Sequence, residues 1–426
     1  MDLHYHRNNC RLCQSDTVRK VVPLQPIPVA TPNIDLSKNI HSSKILSAAT
    51  VPLDLYLCES CGHLQLLDII SPQIQYTTFK YVTSISKGLI PHFAEMAKSV
   101  IVETKIPKNA FVVEVGSNDG TLLKNFANDG YRVLGIDPAS STAEAATAEG
   151  IPTIADFFSE KLAKKVIDKY GQADCVISNN TFANLDNLDD IMCGIKKLLS
   201  KDGLFVFETQ YGLDVIEKLL IDTVYHEHLS YFLAKPLKNF FNKHDMQLVN
   251  ISRISSKGGS IRGYVSHQNS IHQKSRSVEA LINLEEKSGI WEYDTYRKFS
   301  ERFNKMRQSV SSTILKLKDS GQKIAGFGAS VGTVTLLNQF QLGPSLDIIF
   351  DDIPLSKEIR GPSYSIPVQQ TESLSKSNVD VVLILAWRYA NQIISKNRPF
   401  IEAGGKFVVP WPDLAVYDKH GVSLGN

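Results

Sequence analysis

A chain of 426 residues is too long for one hydrophobic core, so two or three domains are expected. With 43% hydrophobic and 21% charged residues, and 46 basic side chains against 44 acidic ones, the composition is that of an ordinary globular protein and gives no reason to expect a nucleic-acid or membrane-lipid partner. No apolar run approaches the roughly 18 residues of a membrane span, and MDLHYHRNNCRLC carries histidines and arginines where a signal peptide would be apolar, so a cytoplasmic protein with reduced thiols is expected.

The first segment, residues 1–75, is rich in proline, cysteine and short β-like runs. Its Cys10-Arg-Leu-Cys13 and Cys58-Glu-Ser-Cys61 are two C-x-x-C knuckles. Each directs two thiolates at one point, and together they complete the tetrahedral sulfur site that zinc favours. Gly62, directly after the second pair, supplies the backbone freedom a knuckle needs. A closed four-sulfur site leaves no position for substrate water, so the predicted zinc is structural. Cys175 and Cys193 lie within apolar patterns and read as core.

Residues 76–270 change character. FVVEVGSNDGTLL, YRVLGIDPA, ADCVISNN and GLFVFET are short apolar runs ending in Gly, Asp or Asn, with helix-like segments such as Ser141–Glu149 and Leu188–Leu199 between them. That alternation predicts an α/β, Rossmann-like, mostly parallel sheet. After the first strand comes Gly116-Ser117-Asn118-Asp119-Gly120, which is neither the G-x-G-x-x-G dinucleotide fingerprint nor a phosphate loop. Glu114 near the strand's end suits a cationic ligand. Asp137 ends the next strand, where a carboxylate can hold both hydroxyls of a ribose. Asp156 and Phe157 follow the third apolar stretch, placed to bracket an adenine. The ordered set Glu114, Gly116, Asn118, Asp119, Gly120, Asp137, Asp156 and Phe157 fits S-adenosylmethionine. Asn179 and Asn180, beyond the fourth strand, stand at the carboxyl end of the sheet, where open α/β folds bind ligands.

Within the same segment, 224-VYHEHLSYF-232 allows several readings. If helical, Tyr225, His228, Leu229 and Phe232 share a face. If extended, His226 and His228 share one, with Tyr225 and Glu227 opposite. A zinc site is disfavoured, because H-E-H lacks the H-E-x-x-H helical spacing. A polar cluster beneath aromatic residues is the plain structural alternative.

Residues 271–426 begin with a long, charged, largely helical stretch, Ile271–Lys318, which reads as a connector and docking helix. A second alternating series follows in KIAGFGAS, LDIIFDD, VDVVLILAW and GKFVVPWP. It predicts a second Rossmann-like α/β domain.

Taken in order, the zinc knuckles, EVGSNDGTLL, YHEHLSYF, GGSIR and GFGAS…DDIP…IP…LAWRYA resemble the sugar C-methyltransferases that act on nucleotide-linked 4-keto-deoxyhexoses. The resemblance spans nearly the whole chain. It implies a zinc-binding N-terminal module, a central S-adenosylmethionine domain and a C-terminal domain that helps bind the nucleotide sugar. It also implies methylation at C3, beside the 4-keto carbon, and maps function onto Tyr76, Tyr225, Glu227 and His228. A 4-ketone acidifies the C3–H bond, so such an enzyme needs a base tuned near neutral pH, which points to His228.

Three departures accompany the resemblance. Asn184 stands where the family often has histidine, the loop 328-GASVGT-333 lacks the family's lysine, and Lys257 opens K-G-G-S-I-R where the family has histidine. An O- or N-methyltransferase acting on a related sugar would need no carbon-acid base. A non-catalytic zinc-knuckle binding protein would bind no S-adenosylmethionine. The sequence leaves the oligomeric state open.

Overall fold

The computed structural model describes residues 3–29, 31–34, 49–86 and 88–424. The chain forms two compact units. The first comprises Met1–Val21, Leu55–Val215 and Glu227–Thr295; the second comprises Val22–Asp54, Ile216–His226 and Tyr296–Asn426. No described helix is long and apolar enough to cross a membrane.

The first unit is built on a seven-stranded sheet. Its strands are β1 (Phe111–Val115), β2 (Arg132–Ile136), β3 (Thr153–Ile154), β4 (Ala173–Asn179), β5 (Leu199–Gln210), β6 (Met246–Ile254) and β7 (Ser260–His267). They lie in the order β3-β2-β1-β4-β5-β7-β6, with the first five parallel and β7 antiparallel to both neighbours. All five residues of β1 are buried, as expected of an apolar run covered on both faces. One cover is α1 (Leu89–Thr104), whose Phe93, Met96 and Val100 pack with Val112, Ile177 and Val206.

Local sequence explains where the connecting helices start and stop. Ser159 accepts a hydrogen bond from the Leu162 amide at 3.2 Å and starts the helix Glu160–Tyr170, which Gly171 ends at φ 85°. Asn187 caps Leu188–Leu198 through the Asp190 amide. That helix has Asp189 and Asp190 in its first turn and Lys196 and Lys197 in its last, matching its dipole.

The two cysteine knuckles sit beside a small sheet that runs Ser230–Tyr231, Leu64–Leu66, Leu55–Cys58, Val18–Val22. Ser230 pairs with Gln65 and Tyr231 with Leu64, so the strand that follows the Y-H-E-H motif completes this sheet.

The second unit holds an eight-stranded sheet. Its five central strands, Tyr364–Gln370, Ile348–Asp351, Ile324–Phe327, Val381–Ile384 and Lys406–Val409, are parallel and carry antiparallel strands at both edges. Helix α2 (Val331–Gln339) follows the strand Ile324–Phe327. The predicted connector is two helices, Arg276–Ser288 and Tyr293–Asp319, and the first ends at Gly289 with φ 66°.

Candidate active site

The four cysteine sulfurs all lie within 4.8 Å of one another, with Cys10–Cys61 at 3.6 Å and Cys13–Cys58 at 3.5 Å. Zinc–sulfur bonds of about 2.3 Å give a tetrahedron whose edge is about 3.8 Å, so the set fits one zinc ion and leaves no open position.

Between two of these cysteines, the Arg11 side chain is fully buried. Its Nη1 donates to the Leu229 carbonyl at 2.9 Å and to Gln65 Oε1 at 3.1 Å. Its Nε and Nη2 donate to Asp186 Oδ1 at 3.2 and 3.1 Å. Burial would raise the Asp186 carboxyl, but Arg11, Tyr5 and Arg7 hold it below the usual range. The guanidinium thus ties the first knuckle to the residue after His228.

At the carboxyl end of β1 the chain turns through Gly116, with φ 77°. A Cβ there would stand 2.1 Å from Thr181 Oγ1, so only glycine fits. Asp137 receives the Asn118 amide on Oδ2 and the Ala139 amide on Oδ1, both at 2.9 Å. The polar side chains of the loop face the segment before α1. Asn118 Oδ1 accepts from the Thr83 amide at 2.8 Å, its Nδ2 donates to the Tyr81 carbonyl at 3.0 Å, and Asp119 Oδ2 accepts from the Ser84 amide at 2.9 Å. In this structure, then, Asn118 and Asp119 clasp a strap over the loop.

Glu114 is different. It is buried, and its Oε2 has no hydrogen-bond partner. Burial, then the charges of Asp137 and Asp119, push its carboxyl well above the ordinary range.

Register extends this polar row across the sheet. Glu114 pairs with Ile177, Asn179 with Glu208, and Glu208 with Arg262. Alternation along the strands puts Glu114, Asn179, Glu208, Gln210 and Arg262 on the face that α1 covers. Asn179 Nδ2 and both polar atoms of Gln210 are buried without partners. Each such atom costs about 1–3 kcal/mol, so a cluster of them at one end of a sheet is what a polar ligand would relieve. Glu208 is fully satisfied. Arg262 donates to its Oε2 from Nε at 2.9 Å and from Nη2 at 2.8 Å, and His92 Nε2 lies 2.6 Å from its Oε1. Burial opposes ionisation of Glu208, but His92 and Arg262 keep its carboxyl below the usual range.

Tyr225–Glu227 form a turn, His228 and Leu229 are irregular, and the strand begins at Ser230. Neither the helical nor the extended alternative holds across the motif, because pairing with Leu64–Leu66 recruits only its last part. The motif also spans a boundary, with Tyr225 and His226 in the second unit and Glu227 and His228 in the first. His226 is buried with Nε2 2.9 Å from the Pro52 carbonyl, a hydrogen bond within its own unit. Glu227 and His228 are each 7% exposed.

The Tyr76 hydroxyl donates to the Glu227 carbonyl at 3.4 Å. Burial first, and then the Glu227 charge, push its phenol well above the usual range, against the effect of a hydrogen bond from Asn184. Tyr76, Asn184 and Glu227 therefore meet. Asp156 is exposed and accepts from the Phe157 amide at 2.8 Å, and Phe157 is half-buried. No described hydrogen bond ties either residue to the row from Glu114 to Arg262.

Glu208, His92, Gln210 and Arg262 were not singled out from the sequence as site residues. An acid and an amide ending an apolar strand, in FVFETQ, were the available signal. His92 joins them only through tertiary contact.

Three family models match the chain in succession: a putative zinc binding domain over residues 10–76, a methyltransferase domain over 92–251 and a C-methyltransferase C-terminal domain over 255–412. The C-methyltransferase NovU of Streptomyces niveus is 29% identical over 410 residues, covering 96% of each chain. Among solved structures, an S-adenosylmethionine-dependent methyltransferase from Clostridium acetobutylicum aligns 90% of its chain with 41% of this one, at 9% identity and a TM-score of 0.33. Magnesium protoporphyrin IX methyltransferase from Synechocystis aligns 83% of its chain with 42% of this one, at 11% identity and a TM-score of 0.33.

Proposed function

We propose, on the premise that this chain is an S-adenosylmethionine-dependent C-methyltransferase with a zinc-binding module, that it methylates C3 of a nucleotide-linked 4-keto-6-deoxy sugar in branched deoxysugar biosynthesis. Bound S-adenosylmethionine supplies an electrophilic methyl group on a sulfonium. On this reading Glu114 and the Gly116–Gly120 turn hold the cofactor's cationic part, Asp137 its ribose, Asp156 and Phe157 its adenine, and Asn179 its reactive end. Cys10, Cys13, Cys58 and Cys61 hold structural zinc.

The chain's own chemistry is proton handling. His228 removes the C3 proton, the C–H electron pair moves into a C3=C4 enolate, and charge gathers on the C4 oxygen. Tyr76 or Tyr225 donates to that oxygen, and Glu227 orients its neighbours. Transfer of the methyl group to the enolate carbon would leave the S–CH3 electron pair on sulfur and restore the C4 ketone. Preorganised donors and a close base are what such a step requires. The 3.4 Å contact of Tyr76 with the Glu227 carbonyl carries the reading, since it brings two sequence-distant segments together one residue before His228.

The test incubates the purified chain with nucleotide 4-keto-6-deoxy sugars in D2O, with and without S-adenosylmethionine. Mass spectrometry and NMR then follow C3 and C5, the two carbons a 4-ketone acidifies. Exchange and methyl gain at C3 are expected. Methyl gain on oxygen or nitrogen without carbon exchange would sink the reading.

A further inference from the structure

One buried ionic group is unused by this chemistry. Glu208, at the end of β5, is completely buried between Arg262, its cross-strand partner, and His92 in the first turn of α1. Arg262 is 3% exposed in its side chain and His92 is 15%, so the group opens outward only through the imidazole.

The hydrogen-bond chemistry of this group fixes which ring nitrogen faces Glu208. Glu208 is held ionised by its two partners and has no proton to give. His92 Nε2 must therefore carry the hydrogen of this contact, which leaves Nδ1 as the ring's other polar atom, and no described hydrogen bond occupies that atom. A base oriented by a buried carboxylate behind it is the usual arrangement for a histidine that meets a substrate. Strands about 4.8 Å apart place Glu208 roughly 10 Å along the row from Glu114. With the cofactor at Glu114, the neighbouring ground belongs to the molecule that takes the methyl group. Gln210, two residues beyond Glu208 on the same face, has both of its buried polar atoms without partners, an independent sign of a polar ligand there.

We propose that His92 is a specificity-determining residue of the methyl-acceptor site: anchored by Glu208 and Arg262, it presents Nδ1 as the hydrogen-bond partner of a ring hydroxyl of the acceptor. This rests on the sugar reading above and adds to it the residue that reads a hydroxyl. Loss of such a contact leaves a polar atom unpaired beneath the bound sugar, so the site discriminates against the deoxy analogue.

The test compares wild type and His92→Phe on pairs of nucleotide 4-keto sugars that differ by one ring hydroxyl. In one pair, wild type should prefer the hydroxylated sugar by roughly 10- to 100-fold in kcat/KM, mostly through KM. His92→Phe should reduce that preference to about threefold or less, with S-adenosylmethionine affinity by calorimetry unchanged. Glu208→Asp, which keeps the charge and shortens the anchor, should fall between them and carries the test if His92→Phe does not fold. A preference retained in the variants overturns the proposal, as does a wild type that methylates sugars without regard to the hydroxyl; both leave C-methylation standing. Weakened cofactor affinity with sugar KM unchanged also overturns it, by assigning the contact to the cofactor. A wild type that methylates none of the sugars overturns both readings.

Discussion

Each unit has a glycine-containing loop where its leading central strand runs into a helix, and the two loops are finished differently. The loop after β1 leaves Glu114 Oε2 and Ser117 Oγ buried without partners. The loop Gly328–Thr333 closes on itself. The Ala329 amide donates to Asp351 at 2.7 Å, Ser330 and Thr333 cap each other reciprocally, and Thr333 Oγ1 donates to the Gly328 carbonyl at 2.7 Å. Among the described residues of 320–424, no buried side-chain polar atom lacks a partner. Similar strand–loop–helix geometry thus yields one loop with buried polar atoms left unpaired beside it and one whose polar atoms are spent within its own unit.

The difference also bears on the loop where the resemblance placed a lysine. The lysine position in Gly328–Thr333 is occupied by Gly332, and a Cβ there would stand 2.7 Å from the Asp222 carbonyl oxygen. The turn Ile221–Thr223 is pinned in place. Arg388 holds the Asp222 carboxylate at 2.6 and 3.0 Å, and Thr335 Oγ1 donates to the Val224 carbonyl at 2.9 Å. Close approach leaves no room for a side chain at Gly332.

The strongest way to break the contrast is His228→Ala. If the first unit carries the chemistry, turnover falls roughly 10²- to 10⁴-fold while calorimetric affinity for S-adenosylmethionine holds; turnover within threefold of wild type would remove His228 as the base.

Glu114→Gln comes next. It should weaken S-adenosylmethionine roughly 10- to 100-fold, because a charged partner is replaced by a neutral one. Folding raises the Glu114 pKa, so the ligand-free fold is favoured below that value and loses this contribution as pH rises through it. A cationic ligand prefers the carboxylate, so affinity should climb through the same window and binding should release a proton. Calorimetry in two buffers of different ionisation enthalpy measures that release, which the Gln variant should lack.

Gly332→Lys should cost about 1–3 kcal/mol in urea unfolding through overpacking against the Asp222 backbone. A stable variant that gains affinity for nucleotide sugar would mean that the closed loop can reopen. The smallest effect belongs to Ser330→Ala, about 1 kcal/mol of stability from the lost cap, with cofactor affinity unchanged.

The cysteine cluster and the alternation of strands and helices were legible because their signals are local: fixed knuckle spacing, and apolar runs ending in Gly, Asp or Asn. Glu114 was legible as an acid inside an apolar strand. The course of Tyr225–Phe232 was not, because only pairing with Leu64–Leu66 makes its end a strand, and periodicity within nine residues carries no trace of that partner. His92 was hidden for the same reason, since nothing near it in sequence announces Glu208. The hold of the Asn118 and Asp119 side chains on the Tyr81–Ser84 strap was likewise hidden, because it joins segments about 35 residues apart.

The borrowed strand has a consequence for synthesis. All four cysteines have been translated once Cys61 is made, but the sheet beside them lacks its edge until Ser230 and Tyr231 emerge. Arg11, between two of the ligands, cannot be buried with its charge compensated before Asp186 and Leu229 exist. Contacts so distant in sequence form late. The cysteine-bearing module is therefore translated well before the residues that finish it.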